Sequence, residues 1–207
     1  MVSMSEHMDD SYWELRFGLT LAIFAAALAI NDLGAGKFGD DELKETNEKA
    51  NAYMWYQSKG IKESLAEGQR DLVGTLLMSG TIAEDKVDEL TRFATGLDAE
   101  IARYQREKKE ILLGSTAVGQ ENWAQEIDGK LGQVVGAKER ERTIDKLALA
   151  GDVFDLGTLC LQLCMVLGAI GLLLKIPQGR RVTWLTVIGL GCAGTLFCIR
   201  AYSIVLL

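Results

Sequence analysis

Charged and polar side chains inside apolar runs are the first candidates for chemistry in this sequence. Arg200 lies in the apolar run TLFCIRAYSIVLL. An arginine at lipid depth is disfavoured by roughly 2 to 4 kcal/mol, so it is expected to pair and is a functional hypothesis by default. Antiparallel pairing of the last two runs predicts that Arg200 lies within a turn of Asp155, with Asp32 as the competing partner. Gln162 recurs on the same helical face as Asp155, which completes a predicted intramembrane cluster.

Two kinds of chemistry are open to this cluster. It could line a conduction path or a gate, in which case subunits must combine, because three spans offer little room for a pore. It could instead be an ion pair near the headgroups that only sets the register of a membrane hairpin.

Cysteine and histidine offer little further material. The four cysteines all lie in the last two apolar runs, at Cys160, Cys164, Cys192 and Cys198. Cys160 and Cys164 are one helical turn apart and could form a soft metal site with a third cysteine, although apolar packing is the simpler interpretation. The single histidine, His7, lies in an N-terminal segment expected to be a flexible tail. We therefore expect no metal site.

No sequence motif indicates an enzyme. The stretch GLGCAG at 189–194 has the glycine content of a dinucleotide loop, but it lies inside an apolar run with no preceding strand. We expect no catalytic residue and no cofactor. The net charge of −7 argues against nucleic acid as a partner, since nucleic-acid binding depends on clustered cations.

Three apolar runs must position these residues, and each approaches the roughly 20 residues that a helix needs to cross a bilayer. The first is expected to be a retained anchor, not a cleaved signal peptide. Small residues at Gly189, Gly191 and Ala193 favour close helix packing in the last run. The predicted segments are an N-terminal tail 1–16, transmembrane helix 17–36, extramembrane region 37–150, transmembrane helix 151–175, short basic link 176–181 and transmembrane helix 182–207.

The polar region reads as three long helices. The first carries an apolar stripe from Leu43 to Leu76 at spacings of three and four, and breaks are predicted at 78–81, with Thr81 as the cap, and at 113–120. A third helix is expected to run unbroken from about 120 to 175, roughly 80 Å, as a stalk. No strand is predicted.

The second polar helix has strict heptad spacing, which favours helices packing at a shallow angle. It is predicted to pack either between subunits or as the core of an internal bundle. The residues of this stripe are Val87, Leu90, Leu97, Ile101 and Tyr104.

The resulting fold class is an all-α membrane protein. It has three transmembrane helices and a long antiparallel, coiled-coil-like extramembrane region between the first and the second.

The chain resembles the bacterial family DUF4337, a domain of unknown function. The resemblance rests on RFGLTLAIFAAALAINDLG, ANAYMWYQSKGIKESL, FDLGTLCLQLCMVLGAIGLLLK and WLTVIGLGCAGTLF, in this order, and WYQSK is the most specific part. It implies a small bacterial membrane protein with the three-span layout, and it implies no catalytic residue.

Charge around the short link sets the expected orientation. KIPQGRR at 175–181 carries three cations and predicts a cytoplasmic link, so the helical region is expected in the periplasm, attached to the bacterial inner membrane. Cations at 138–146 favour the opposite orientation.

Two functions remain open from the sequence. The first is a non-enzymatic, homo-oligomeric scaffold or interaction protein with a helical stalk in the lipid bilayer. The second is an oligomeric channel or membrane sensor that uses the polar faces of the second and third spans.

Overall fold

A computed structural model of the chain describes the backbone of residues 4–206 and the side chains of residues 11–206. The described chain is almost entirely helical, which confirms the all-α prediction. The helices are α1 (Met4–Met78), α2 (Glu84–Leu113), α3 (Ser115–Val118), α4 (Ala137–Leu173) and α5 (Pro177–Leu206), with a 3₁₀ turn at Gln120–Asn122 and strands β1 (Glu126–Ile127) and β2 (Lys130–Leu131).

The N-terminal segment differs from the predicted tail. α1 begins at Met4, so residues 4–16 are helical, while residues 1–3 lie outside the described part of the chain. The side chain of His7 also lies outside the described side chains.

The chain divides into two compact units. The first comprises residues 1–43 and 145–207, and the second comprises residues 44–144. By length and composition, the three helices α1, α4 and α5 are each long and apolar enough to cross a membrane.

Two apolar clusters hold the first unit together. Burial of these side chains between α1, α4 and α5 is the main stabilising term of the unit. One cluster is centred on Phe17, Phe24, Leu161, Cys164 and Val187, and the other on Phe38, Leu147, Ala150, Val153, Phe154, Cys198 and Ala201.

Glycines let these helices approach closely. A Cβ atom added to Gly191 would lie 2.3 Å from the Phe24 ring, and one added to Gly194 would lie 2.7 Å from Leu161 Cγ. Gly189, by contrast, faces open space, and Ala193 is half-buried. The close contact therefore involves the predicted Gly191 and, in addition, Gly194, but not the predicted Gly189.

The second unit is built on contacts between α1 and α2. Ala66 packs with Leu97 and Ile101, and Ala52 packs with Ile111 and Ala137. The predicted break at 78–81 is present, but α2 begins at Glu84 behind Ala83, and no side chain caps it. Thr81 instead lies 2.6 Å from the Ser79 hydroxyl, so its predicted capping role is wrong.

The predicted third polar helix is wrong in its first half. α4 begins at Ala137, not near 120, and residues 126–131 form a short antiparallel hairpin where no strand was expected. Asp128 and Gly129 occupy its turn with φ of 50° and 77°. An Asp-Gly pair favours this type of turn, and the cost of holding it in a helix outweighs the weak apolar periodicity around it.

Candidate functional site

Three residues of the segment WYQSK, namely Trp55, Tyr56 and Lys59, are half-buried on the inner face of α1 in the second unit, whereas Gln57 and Ser58 are exposed. Lys59 Nζ lies 2.6 Å from Glu107 Oε2, and Lys108 Nζ lies 2.5 Å from Glu63 Oε2. Both carboxylates are buried. The hydrogen bond to Glu63 raises the pKa of Lys108 above its ordinary value.

These two pairs couple α1 to α2 by charge as well as by apolar contact. Tyr56 contributes its ring, 5.3 Å from Lys108 Nζ, and Tyr104 lies 6.0 Å from Lys59 Nζ. Removing one partner of a buried pair leaves an uncompensated charge, which costs several kcal/mol. The pairs therefore fix which residues of the two helices meet.

The fully buried Glu110 holds the segment that follows α2. Its Oε1 accepts a hydrogen bond from Ser115 Oγ at 2.7 Å, and its Oε2 accepts from the backbone N–H groups of Ala124 and Gln125, each at 2.8 Å. Ser115 Oγ in turn accepts from the N–H of Val134 at 2.9 Å. One carboxyl group thus ties both arms of the connecting segment to the end of α2.

This connecting segment and α1 line an open pocket of about 360 Å³ in the second unit. Ligand pockets usually start near ~300 Å³, so the pocket could hold a small organic molecule. Its apolar walls are Ala52, Trp55, Ile111 and Val134, and its polar groups come from Glu48, Asn51, Gln133 and Arg140. Arg140 is already paired there, with Nη1 2.8 Å from Glu45 Oε2 and Nη2 3.8 Å from Glu48 Oε2.

The opposite face of α1 in the second unit is exposed and apolar. We call it the α1 apolar face and define it as Met54, Ile61, Leu65 and Leu72, which are between 60% and 71% exposed. The sequence predicted this stripe correctly as a helical period. The face of α1 that is buried in the structure is a different one, which carries Ala52, Glu63 and Ala66. It is buried because the charged pairs with α2 lie on it.

The predicted intramembrane cluster does not come together. Arg200, Asp155 and Gln162 are exposed on the outer faces of α5 and α4, and among the described residues Arg200 has no ion pair and no hydrogen bond. The predicted Asp155–Arg200 pair is therefore absent from the described part of the chain. Long side chains near a helix end can reach the headgroup region, so the pair is not required.

Asp32 takes part in a different network, centred on its neighbour. The fully buried Asn31 donates through Nδ2 to the carbonyl of Phe154 at 3.0 Å and to Thr158 Oγ1 at 2.7 Å. Thr158 Oγ1 donates to Asp32 Oδ1 at 3.3 Å. In the sequence, Asn31 is visible only as a polar interruption of the first apolar run. That α4 supplies its hydrogen-bond partners is evident only from the fold.

The stripe predicted on α2 lies partly inside the chain. Leu97 and Ile101 are buried against Ala66 of α1, whereas Leu90 and Tyr104 are half-buried and Val87 is exposed. The central part of this stripe is thus an internal contact. Its role between subunits stays a prediction.

The described side chains include no group of three metal-ligating residues close enough to hold an ion. All four cysteines are free thiols, and Cys164 and Cys198 pack in the two apolar clusters of the first unit.

Comparison with known proteins gives one match. A family model described as a domain of unknown function, DUF4337, matches residues 13–204. No curated protein and no solved structure shows a significant match.

Proposed function

The chain belongs to the DUF4337 family, and from that premise we propose that it is an integral membrane protein with a non-enzymatic, scaffolding role. In this proposal α1, α4 and α5 anchor it in the bilayer, and copies associate through the α1 apolar face.

Outward-facing apolar side chains support the membrane anchor. Large hydrophobic residues are exposed on the outer surfaces of all three candidate spans, at positions that a soluble protein would cover. Contact with lipid would remove this apolar area from water. Examples are Leu19, Ile23, Leu159, Val166, Leu185 and Leu196.

The observation that carries the scaffolding role is the α1 apolar face itself. Its four side chains would each remove on the order of 100 Å² from water, so two copies would bury roughly 800 Å² before flanking atoms are counted. Specific interfaces usually need at least about 1,000 Å². Confinement of the copies to one membrane raises their effective concentration, so a modest interface suffices.

A second copy of the same helix fits this face. Met54, Ile61, Leu65 and Leu72 follow one another at intervals of seven, four and seven residues, which is heptad spacing. The smaller residues Ser58 and Gly68 lie between them on the same stripe, and Ala50 precedes Met54 by about one turn; these small residues allow close approach. Copies inserted in the same direction would present this stripe to one another in parallel.

The test is the mass of the purified protein in detergent, measured by light scattering and corrected for bound detergent. The wild-type protein is expected to exceed one copy, and Ile61→Ser with Leu65→Ser is expected to shift it to the monomer. Because both side chains are exposed, the helical circular dichroism signal should not change. Leu131→Ser, at another exposed leucine of the second unit, is the control and should behave as wild type. A wild-type monomer at every concentration would overturn the proposal.

A channel is the second candidate, and the exposed polar residues favour it. Asp155, Gln162 and Arg200 all lie on outer faces, where neighbouring copies could bring them around a common axis. The path would form between subunits, since the centre of the first unit is filled by the Phe24 and Leu161 cluster. The channel would be favoured over the scaffold if the wild-type protein conducts ions in a planar bilayer and the Arg200→Gln variant does not.

The proposed location is the bacterial inner membrane, with the second unit in the periplasm. Arg16, Lys175, Arg180 and Arg181 cluster at one end of the candidate spans, and the positive-inside rule assigns that end to the cytoplasm.

A further inference from the structure

An arginine framed by aromatic rings lies at the end of the first unit where the chain links α4 to α5. The guanidinium carbon of Arg16 is 4.5 Å from the centre of the Tyr12 ring, 5.6 Å from that of Trp13 and 5.0 Å from that of Trp184. These distances are within the range of cation–π attraction. We call these four residues the Arg16 cluster.

The rings are themselves held in place. The rings of Trp13 and Trp184 pack edge to face with their centres 6.4 Å apart. Trp184 Nε1 also donates a hydrogen bond to Thr20 Oγ1 at 3.2 Å. The cluster therefore joins α1 to α5 and fixes the guanidinium at one position. A planar cation held between rings keeps N–H groups at its edge for an anion.

The charge of Arg16 is not neutralised by a described side chain. It has no ion pair with any of the described carboxylates, and Glu14 is the single acidic residue in 11–20 and 172–184. Those two segments also carry Lys175, Arg180 and Arg181. The end of the unit thus has a fixed cation, and the exposed Lys175 and Arg181 lie at the same end.

The position of the cluster identifies the chemistry of its ligand. Arg16 directly precedes the apolar run that starts at Phe17, and Trp184 follows the basic link by one helical turn. Tryptophan and tyrosine at such a boundary mark the level of lipid headgroups. An anion that meets Arg16 at this depth is a phosphate attached to acyl chains.

We propose that the Arg16 cluster is a binding site for the headgroup phosphate of an anionic phospholipid. The proposal rests on the proposed membrane insertion of the first unit. The phosphate accepts hydrogen bonds from the guanidinium edge, the exposed Lys175 and Arg181 supply further attraction, and the acyl chains lie along the exposed apolar faces of α1 and α5.

The experiment measures the preference for anionic lipid by fluorescence quenching. Full-length protein with Trp55→Phe and Trp123→Phe, checked by circular dichroism, retains Trp13 and Trp184 as reporters. It is reconstituted into phosphatidylcholine vesicles that contain increasing fractions of brominated phosphatidylglycerol, and in parallel into vesicles with brominated phosphatidylcholine. Stronger quenching by the anionic lipid at equal fraction is the expected result.

Variants separate the site from general attraction to a negative surface. Arg16→Gln should reduce the preference about fivefold, the value for one basic residue at an anionic surface, and Arg16→Lys should retain part of it. The control is Arg200→Gln, at an exposed arginine at the other end of the same helices, and it should leave the preference unchanged. Equal losses in Arg16→Gln and Arg200→Gln, or equal quenching by both lipids in the parent protein, would overturn the site.

Two further outcomes are decisive. If inorganic phosphate at a concentration no higher than that of the anionic lipid, at constant ionic strength, abolishes the preference, the acyl chains add nothing to binding, the site binds a free anion and the lipid assignment is wrong. If the protein does not float with vesicles at all, the membrane proposal itself fails. Flotation without lipid preference would reject the site alone.

Discussion

At the scale of single residues, Glu110 shows how one side chain can organise a segment that has little regular structure. The segment between α2 and α4 contains only short elements and buries few apolar groups of its own. Its backbone N–H groups at 124 and 125, and the hydroxyl of Ser115, all converge on this carboxyl group. No spacing in the sequence distinguishes Glu110 from the many exposed glutamates of α2, so its role could not be predicted.

We expect Glu110→Ala to destabilise the second unit by about 3 kcal/mol or more, because it leaves two buried donors and one half-buried donor without their acceptor. Glu110→Gln should cost less, since the amide oxygen can still accept from the two backbone groups. Thermal unfolding of the full chain in detergent would measure both. Glu100→Ala, on the exposed face of the same helix, is the control, and an equal loss in that variant would contradict this role of Glu110.

The Lys108–Glu63 pair predicts a dependence on alkaline pH. The hydrogen bond with Glu63 raises the pKa of Lys108 in the folded state, so its contribution to stability is complete below the ordinary lysine pKa of about 10.4 and is lost as pH rises through the higher folded value. The unfolding temperature of the wild-type protein should therefore fall more steeply above pH 10 than that of Lys108→Gln. The control Lys62→Gln, at an exposed position, should follow the wild type.

At the scale of elements, the sequence predicts helices well and their inward faces poorly. The period of three and four that predicted the polar part of α1 is present, and the breaks near 80 and 114 lie where glycine and polar residues suggested them. Apolarity alone left open whether Ile61 and Leu65 pack inside a bundle or between subunits. The buried pairs of Lys59 and Glu63 turn the opposite face of α1 toward α2, and charge pairing between distant segments leaves no local signal.

The glycines of α5 give a prediction at the same scale. Gly194→Ala should destabilise the first unit by roughly 1–3 kcal/mol, the usual cost of overpacking, because the new methyl group would meet Leu161 and the carbonyl of Gly157. Gly189→Ala adds the same group where nothing lies within 4 Å, and should be neutral or stabilising. The stability of the two variants would be compared by measuring their loss of helicity during titration with a denaturing detergent. Equal effects would show that the Gly194 contact is not close.

At the scale of the whole molecule, the three apolar runs predicted the three long apolar helices, since length and hydropathy are read directly from the sequence. The partners of Asn31 and the exposure of Arg200 could not be predicted in the same way. Hairpin geometry gives the depth of a residue along a helix, but not the direction in which its side chain points.

The proposed orientation has its own test at this scale. In a variant with the native cysteines replaced by alanine, single cysteines at the exposed positions Glu100 and Gln178 report the two sides of the membrane. In intact bacterial cells, a membrane-impermeant thiol reagent should label Glu100→Cys, and it should label Gln178→Cys only after permeabilisation. The reverse pattern would invert the proposed topology and leave the three candidate spans unchanged.

The charged pairs between α1 and α2 also restrict how this chain can change in length. An insertion of one heptad between Glu63 and the end of α1 would displace Lys59 from Glu107 by about 10 Å and would separate Glu63 from Lys108 as well. The same insertion made in both α1 and α2 would restore both pairs. Natural variants of the second unit should therefore differ by matched additions or deletions in its two arms, while the turn at 79–83, which joins them, can vary alone.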